Sequence, residues 1–189
     1  MSTNLEIEVK SKLTKEDYEK LLARFSNAKI YCQNNYYIDN KSLQICKSDC
    51  GLRIREKDSK FELPLKVPAK EGKIEINRQI SNILFEKLAK SHLFPNGEVK
   101  DYLETKLGIK TNELSILGEL KTERLDIAYL GALISIDKSY YNNVIDYEIE
   151  IEDKSLIEAS KHLQQFLLEN SIEYKKSPDT KLKRFIDTL

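Results

Sequence analysis

Apolar and polar residues alternate with a period of two along several separate stretches of this chain. The first sets Leu5, Ile7 and Val9 on one side against Glu6, Glu8 and Lys10 on the other. Successive side chains of an extended backbone leave opposite faces, so this alternation predicts a strand. The pattern recurs in Leu52-Arg53-Ile54-Arg55, Leu63-Pro64-Leu65-Lys66-Val67 and Lys73-Ile74-Glu75-Ile76-Asn77, and again in Asp146-Tyr147-Glu148-Ile149-Glu150-Ile151-Glu152. The charges are sorted: two strands carry glutamates at alternate positions, and others carry Arg or Lys. That segregation points to a two-sided charged site rather than to scattered solvated groups.

Between these strands the signals change period. Thr14, with Asp17 three residues on, predicts the capped start of a helix over 15–25. Residues 30–39 read as a second strand, closed by a polar turn through Asn40 and Ser42. Lys57-Asp58-Ser59-Lys60 joins the Arg53/Arg55 strand to 61–67 as a hairpin, and Pro64 and Pro68 place part of its second arm at a bulge or away from a strand partner. A strand over 73–80 follows, then a helix over 82–90 capped by Ser81, and a shorter helix over 98–106 after Asn96-Gly97. Extended structure resumes over 113–124 with Gly118 at a bulge, and strands follow over 125–129, 132–138 and 144–152. Ser155 opens a helix with Ile157, Ser160, Leu163, Phe166 and Leu167 on or near one face, and 178–189 ends the chain as a short helix carrying Lys181, Lys183 and Arg184.

About eight strands with inserted helices predict an α+β fold in a single domain over 1–189. Closing eight antiparallel strands into a barrel removes the exposed edges, with apolar faces outward beneath helices and a polar, charged interior. Buried charge is tolerated when paired, hydrated or bound to an ion. A polyanion with a metal would supply that reason.

Charge and composition narrow the partners. The 31 basic and 31 acidic residues cancel, which argues against general nucleic-acid binding, a function that normally shows a basic excess. No apolar run approaches the ~20 residues that cross a bilayer, and residues 1–13 lack a signal-peptide core, so the expectation is a cytoplasmic protein without membrane contact, monomeric or homodimeric. Cys32, Cys46 and Cys50 are odd in number and fit a reducing compartment; the Cys46/Cys50 spacing is not that of a zinc site. His92 and His162 lie outside the charged strands and are not assigned acid/base roles.

The order and spacing of Glu6-x-Glu8-x-Lys10, Tyr36-Tyr37-x-Asp39, Leu52-Arg53-x-Arg55, Leu65-Lys66-x-Pro68, Gly118-x-Leu120-x-Thr122-x-Arg124, Asp137, Glu148-x-Glu150 and Lys181 resemble the CYTH domain, or triphosphate tunnel metalloenzymes, nearest to their uncharacterised branch in Gram-positive bacteria. The resemblance implies an eight-stranded antiparallel tunnel that binds triphosphate with divalent metal. It implies that Glu6, Glu8, Glu148 and Glu150 hold Mg²⁺ or Mn²⁺; Glu152 extends the same row, either as a further ligand or as a solvated strand end. It implies that Lys10, Arg53, Arg55, Lys66, Arg124 and Lys181 clamp phosphate oxygens, with Glu75 and Asp137 as further tunnel residues. Oxygen ligands suit such hard cations, and Arg forks match phosphate bidentately. Asn77 and Thr122 stand where relatives carry basic residues, which thins the clamp.

The function expected is therefore a metal-dependent triphosphatase hydrolysing inorganic triphosphate or an organic triphosphate. A second expectation is a regulatory module that binds triphosphate or nucleotide without turnover, and a third is an adenylate cyclase, which needs a ribose-positioning pocket besides.

Overall fold

A computed structural model describes residues 2–177 and 179–189. The strands are β1 (Ser2–Glu6), β2 (Glu8–Lys12), β3 (Ile30–Asp39), β4 (Gly51–Lys57), β5 (Lys60–Glu62), β6 (Leu65–Pro68), β7 (Lys73–Asn77), β8 (Gln79–Ile80), β9 (Ser115–Tyr129), β10 (Ala132–Tyr141) and β11 (Val144–Glu152). The α-helices are α1 (Lys15–Arg24), α2 (Gln44–Lys47), α3 (Asn82–Ser91), α4 (Glu98–Thr105), α5 (Leu156–Glu169) and α6 (Lys181–Ile186). Among the described residues no helix is long and apolar enough to cross a membrane.

The expected closed eight-stranded barrel is corrected. Among the described residues eleven strands form one sheet in the order β1-β7-β6-β4-β3-β9-β10-β11-β2, with β5 on β4 and β8 on β5, and no hydrogen-bonded ladder joins its two ends. The reason lies in the first stretch. A single strand was expected through Leu5 to Lys10, but it is interrupted at Ile7, and the two pieces take different partners. β1 pairs with β7, and β2 pairs antiparallel with β11 from Glu8↔Glu152 to Lys12↔Glu148. With Ile7 alone between them, β1 and β2 have no turn by which one could fold back on the other. Leu5 accordingly is exposed, whereas Ile7 is buried.

Two further breaks have local causes. Pro64 has no N–H to give a ladder, and the expected second arm splits there into β5 and β6, both paired with β4. The strand expected over 73–80 breaks at Arg78, whose carbonyl instead accepts from Leu63 N at 2.7 Å. Conversely, β9 runs unbroken through Gly118 and past Arg124, so 113–124 and 125–129 are one strand rather than two. Pro178, within the expected tail helix, lies outside the described residues.

The chain divides into two compact units, Met1–Leu5 with Gln33–Leu120, and Glu6–Cys32 with Lys121–Leu189. In the first, the apolar side of β4 and β6 (Leu52, Ile54, Leu65, Val67) packs with Leu88 of α3 and Val99 and Leu103 of α4. In the second, Leu125, Ile134, Ile136, Ile149 and Ile151 pack with Leu21 of α1 and Leu163, Phe166 and Leu167 of α5. Within each unit the parity left over carries the charges, so alternation in the sequence becomes one apolar and one charged sheet face.

Helix starts are set by side-chain caps. Thr14 Oγ1 accepts from Asp17 N at 3.0 Å while the Asp17 carboxylate accepts from Thr14 N at 3.2 Å, completing a reciprocal box at the head of α1. Ser81, Ser155 and Thr180 cap α3, α5 and α6 in the one-way form. Thr14→Ala is expected to cost about 1 kcal/mol of unfolding free energy, read from the midpoint of a urea titration; an unchanged midpoint would refute the cap's contribution.

Candidate functional site

In the unit built on β9, β10 and β11, the charged face gathers around three carboxylates. Asp137 of β10 stands opposite Arg124 of β9 and Glu148 of β11, and Glu150 stands opposite Lys10 of β2. Antiparallel register therefore brings together residues far apart in sequence. Asp137 and Glu148 are buried, and one carboxylate oxygen from each of Asp137, Glu148 and Glu150 lies within 4.8 Å of the others.

Four cations surround this group. Arg124 engages Asp137 through both ends of its guanidinium, Nε to Oδ1 at 2.7 Å and Nη2 to Oδ2 at 2.5 Å, and its Nη2 reaches Glu150 Oε2 at 2.8 Å. Lys10 Nζ donates to Glu8 Oε1 at 2.9 Å and Glu150 Oε1 at 3.3 Å. Lys181, at the start of α6, donates to Asp137 Oδ2 and meets Glu148 Oε1 at 2.5 Å and Glu150 Oε1 at 3.2 Å. Arg184, one turn on, pairs with Glu148 Oε2 and meets Asp146 Oδ2 at 2.6 Å.

These contacts set the protonation preferences. Burial pushes the Glu148 carboxyl above its usual range, with Lys181 pulling the other way. Burial acts likewise on Glu150, but Lys181, Lys10 and Arg124 together hold it well below the usual range. For Lys10, Arg124, Lys181 and Arg184, burial lowers the pKa and the carboxylates more than reverse it, so all four are held firmly in their charged forms.

The other unit carries a looser basic group. Arg53 and Arg55 lie on the same side of β4, with Glu75 of β7 facing their guanidinium groups at 3.8 and 3.9 Å, beyond hydrogen-bond distance. Arg55 also meets Glu62 at 3.8 Å. The Nε atoms of both arginines are buried without a hydrogen-bond acceptor. Buried donors left without acceptors are costly, and an anion would satisfy them. Lys66 is paired in register with the buried Glu75, and Asn77 Nδ2 donates to Glu62 at 3.2 Å.

The sequence-derived residues thus fall into two groups. Lys10, Arg124, Asp137, Glu148, Glu150 and Lys181 are brought together in one unit; Arg53, Arg55, Lys66 and Glu75 lie in the other. Glu6, Glu8 and Glu152 are not members of the three-carboxylate group. Glu6 and Glu8 lie either side of the break at Ile7, and Glu152 is exposed opposite Glu8 at the end of its strand. Lys10, Arg124 and Lys181, expected on phosphate, are in direct contact with carboxylates. Thr122 has the parity expected of it and is buried against Ser139 at 3.3 Å. Asp39 has a structural role, its buried carboxylate accepting from the backbone N–H groups of Asn40, Ile45 and Cys46 at 2.8 to 3.0 Å. Arg184 was missed as a site residue, although its place three residues after Lys181 puts both on one helix face. Asp146, two residues before Glu148 on its strand, was missed with it.

The donor set fits a hard divalent cation. Three carboxylates converge within reach of one ion, and their oxygens suit Mg²⁺ or Mn²⁺.

The sequence profile described as the CYTH domain matches residues 4–186. The chain is 34% identical over 189 residues to YjbK of Bacillus subtilis, a provisionally assigned triphosphatase, covering 99% of this chain and 97% of that protein. A crystal structure of a provisionally assigned adenylate cyclase from Bacillus halodurans superposes with a TM-score of 0.91 at 33% identity, over 98% of this chain and 99% of the other. The Hippeastrum protein HpAC1, a provisionally assigned adenylyl cyclase with a dominant triphosphatase activity, shares the fold with a TM-score of 0.82 at 23% identity, over 97% and 96% of the two chains.

Proposed function

Since the chain belongs to the CYTH domain family, we propose that it is a divalent-metal-dependent triphosphatase, hydrolysing a phosphoanhydride bond of inorganic triphosphate or of an organic triphosphate. The observation that carries this reading is the convergence of Asp137, Glu148 and Glu150 in a chain 34% identical to a provisionally assigned triphosphatase. Asp137, Glu148 and Glu150 would hold Mg²⁺ or Mn²⁺, and Glu6, Glu8 and Glu152 extend the acidic set along β1, β2 and β11. Such an ion, when bound, supplies positive charge for phosphate oxygens and makes water more acidic.

The chain's own contribution is charge held in place. Arg124 and Arg184 fix Asp137 and Glu148 from outside the group, so their carboxylates need little reorganisation when substrate arrives. Arg53 and Arg55 are the proposed phosphate-binding groups of the other unit, because their buried Nε donors lack acceptors; Lys66 adds a point charge. Phosphoryl transfer relies mostly on positioning and electrostatic stabilisation, which suits a site of carboxylates and fixed cations. Cytoplasmic location is part of the same reading.

Phosphate release from triphosphate, ATP and thiamine triphosphate, measured with Mg²⁺, with Mn²⁺ and with chelator, tests the proposal. Metal-dependent release supports it; none from any substrate would refute it and leave a binding module. A second reading, adenylate cyclase, rests on the provisional assignment of the Bacillus halodurans relative, and cyclic AMP formed from ATP in the same assay would favour it. Arg53→Ala is expected to raise KM for triphosphate about tenfold or more by removing a charge-assisted contact. An unchanged KM would take Arg53 out of the phosphate site.

A further inference from the structure

Lys181 stands apart from the other cations around the three carboxylates. Arg124 pairs with two of them, Asp137 and Glu150; Lys10 pairs with Glu150, and Arg184 with Glu148. Lys181 meets all three. Its ammonium is therefore centred on the same three carboxylates that converge for a divalent ion, and its side chain is only 12% exposed. We propose that Lys181 is the resident counter-cation of this group, and that a divalent cation binding there must displace it and open the first turn of α6. The inference rests on the reading of Asp137, Glu148 and Glu150 as the metal site.

Three features support the exchange. A carboxylate cluster this deeply buried needs compensating charge at all times, and an ammonium supplies it when no metal is bound. An ammonium and a divalent ion sharing the same oxygens would repel strongly in such surroundings, so occupancy is exclusive. A lysine head is a point charge on a flexible stem and leaves by rotating that stem, whereas the forked contact of Arg124 with Asp137 is fixed by its plane.

The anchoring of α6 is divided to match. Besides Lys181, α6 is held by Phe185, which is fully buried, and by Arg184, which reaches Asp146 Oδ2 and the outer oxygen of Glu148 as well as Ser177 Oγ and the Asp179 carbonyl just ahead of the helix. Its first turn has the Thr180 cap, with Lys183 N on Oγ1 at 3.1 Å and Arg184 N on the Thr180 carbonyl at 3.0 Å, and the grip of Lys181 on the carboxylates. Releasing Lys181 therefore frees the start of α6 from the carboxylates while Arg184 and Phe185 keep the rest of the helix docked. The released ammonium becomes available to a phosphate oxygen, which reconciles its contacts here with the role that the sequence suggested.

The test uses the full chain and the metal ion alone. Lys181→Met, which keeps the stem and removes the charge, is expected to bind Mn²⁺ about tenfold more tightly in calorimetry, because the fraction of protein with an open site rises. In the unsubstituted protein, saturating Mg²⁺ is expected to speed hydrogen exchange in a 180–189 peptide followed by mass spectrometry. Mn²⁺ affinity unchanged or weakened in a folded Lys181→Met variant would overturn the proposal, as would exchange in 180–189 that Mg²⁺ leaves unchanged or slows. If the variant does not fold, the exchange measurement decides alone. Should the unsubstituted protein bind neither ion, the metal-site reading falls too; should it bind Mn²⁺ with the variant no tighter, only the role of Lys181 falls.

Discussion

Glu150→Gln is expected to lower metal-dependent phosphate release from triphosphate by about a hundredfold or more. Losing even a residue that orients a metal ligand typically costs 10–100-fold, and Glu150 is placed to be a ligand itself. The substitution keeps the shape of the side chain and removes its charge. It also puts an amide N–H₂ among Lys10, Arg124 and Lys181, three donors that now meet a carboxylate. The remaining acceptor oxygen can serve only some of them, so the damage falls on the arrangement of cations as well as on the ion. Glu148→Gln tests the same group from its more protonation-prone member. Circular dichroism and the urea midpoint show whether each variant is folded. Activity within about threefold of the parent in a folded Glu150→Gln protein would remove the carboxylate group from the chemistry.

Asp137→Ala is expected to destabilise the fold by about 3–5 kcal/mol, because breaking a buried ion pair leaves the partner charge without compensation. Asp137 has no exposed surface, and its two oxygens serve Arg124 and Lys181 together. Removing it leaves a guanidinium and an ammonium close together, both still linked to Glu150. The loss is read from urea unfolding with the slope held common. The double variant Asp137→Leu with Arg124→Met makes the test specific: replacing both members by apolar groups is far less costly than removing one. A single variant losing under about 1 kcal/mol would mean that water or backbone groups already compensate these cations.

The local grammar of the chain was legible because it rests on short-range physics. Thr14 with Asp17, Ser81, and Ser155 each signalled a helix start that the structure contains, and residues 30–39 form β3 as expected. Alternation correctly divided apolar from charged faces, as on β11, where Ile149 and Ile151 join the apolar core while Glu148 and Glu150 join the carboxylate group. What could not be read was register between distant strands. That Asp137 sits opposite both Arg124 and Glu148 depends on how β9, β10 and β11 pair, and no spacing along the chain encodes it. Asp137 therefore entered only as a further tunnel residue, although it stands at the centre of the three-carboxylate group. The break at Ile7 was hidden for the opposite reason: alternation continues smoothly across a point where the partner strand changes. The expectation of a closed barrel failed at that point. In the tail, Lys181 was found through a motif, whereas Arg184 needed only the helical spacing between them.

The pairing of β2 with β11 also bears on how the protein is made. Lys10 lies 140 residues from its partner Glu150. At ribosomal rates of about 5–20 residues per second, β2 waits on the order of ten seconds for β11 to be synthesised. During that interval its backbone N–H and C=O groups lack their native partner, in a segment whose neighbour β1 must find β7. Glu8, Lys10 and Lys12 keep that waiting edge charged and so discourage pairing with other nascent chains. The alternating charges that serve the finished site thus also protect the strand whose partner is made latest.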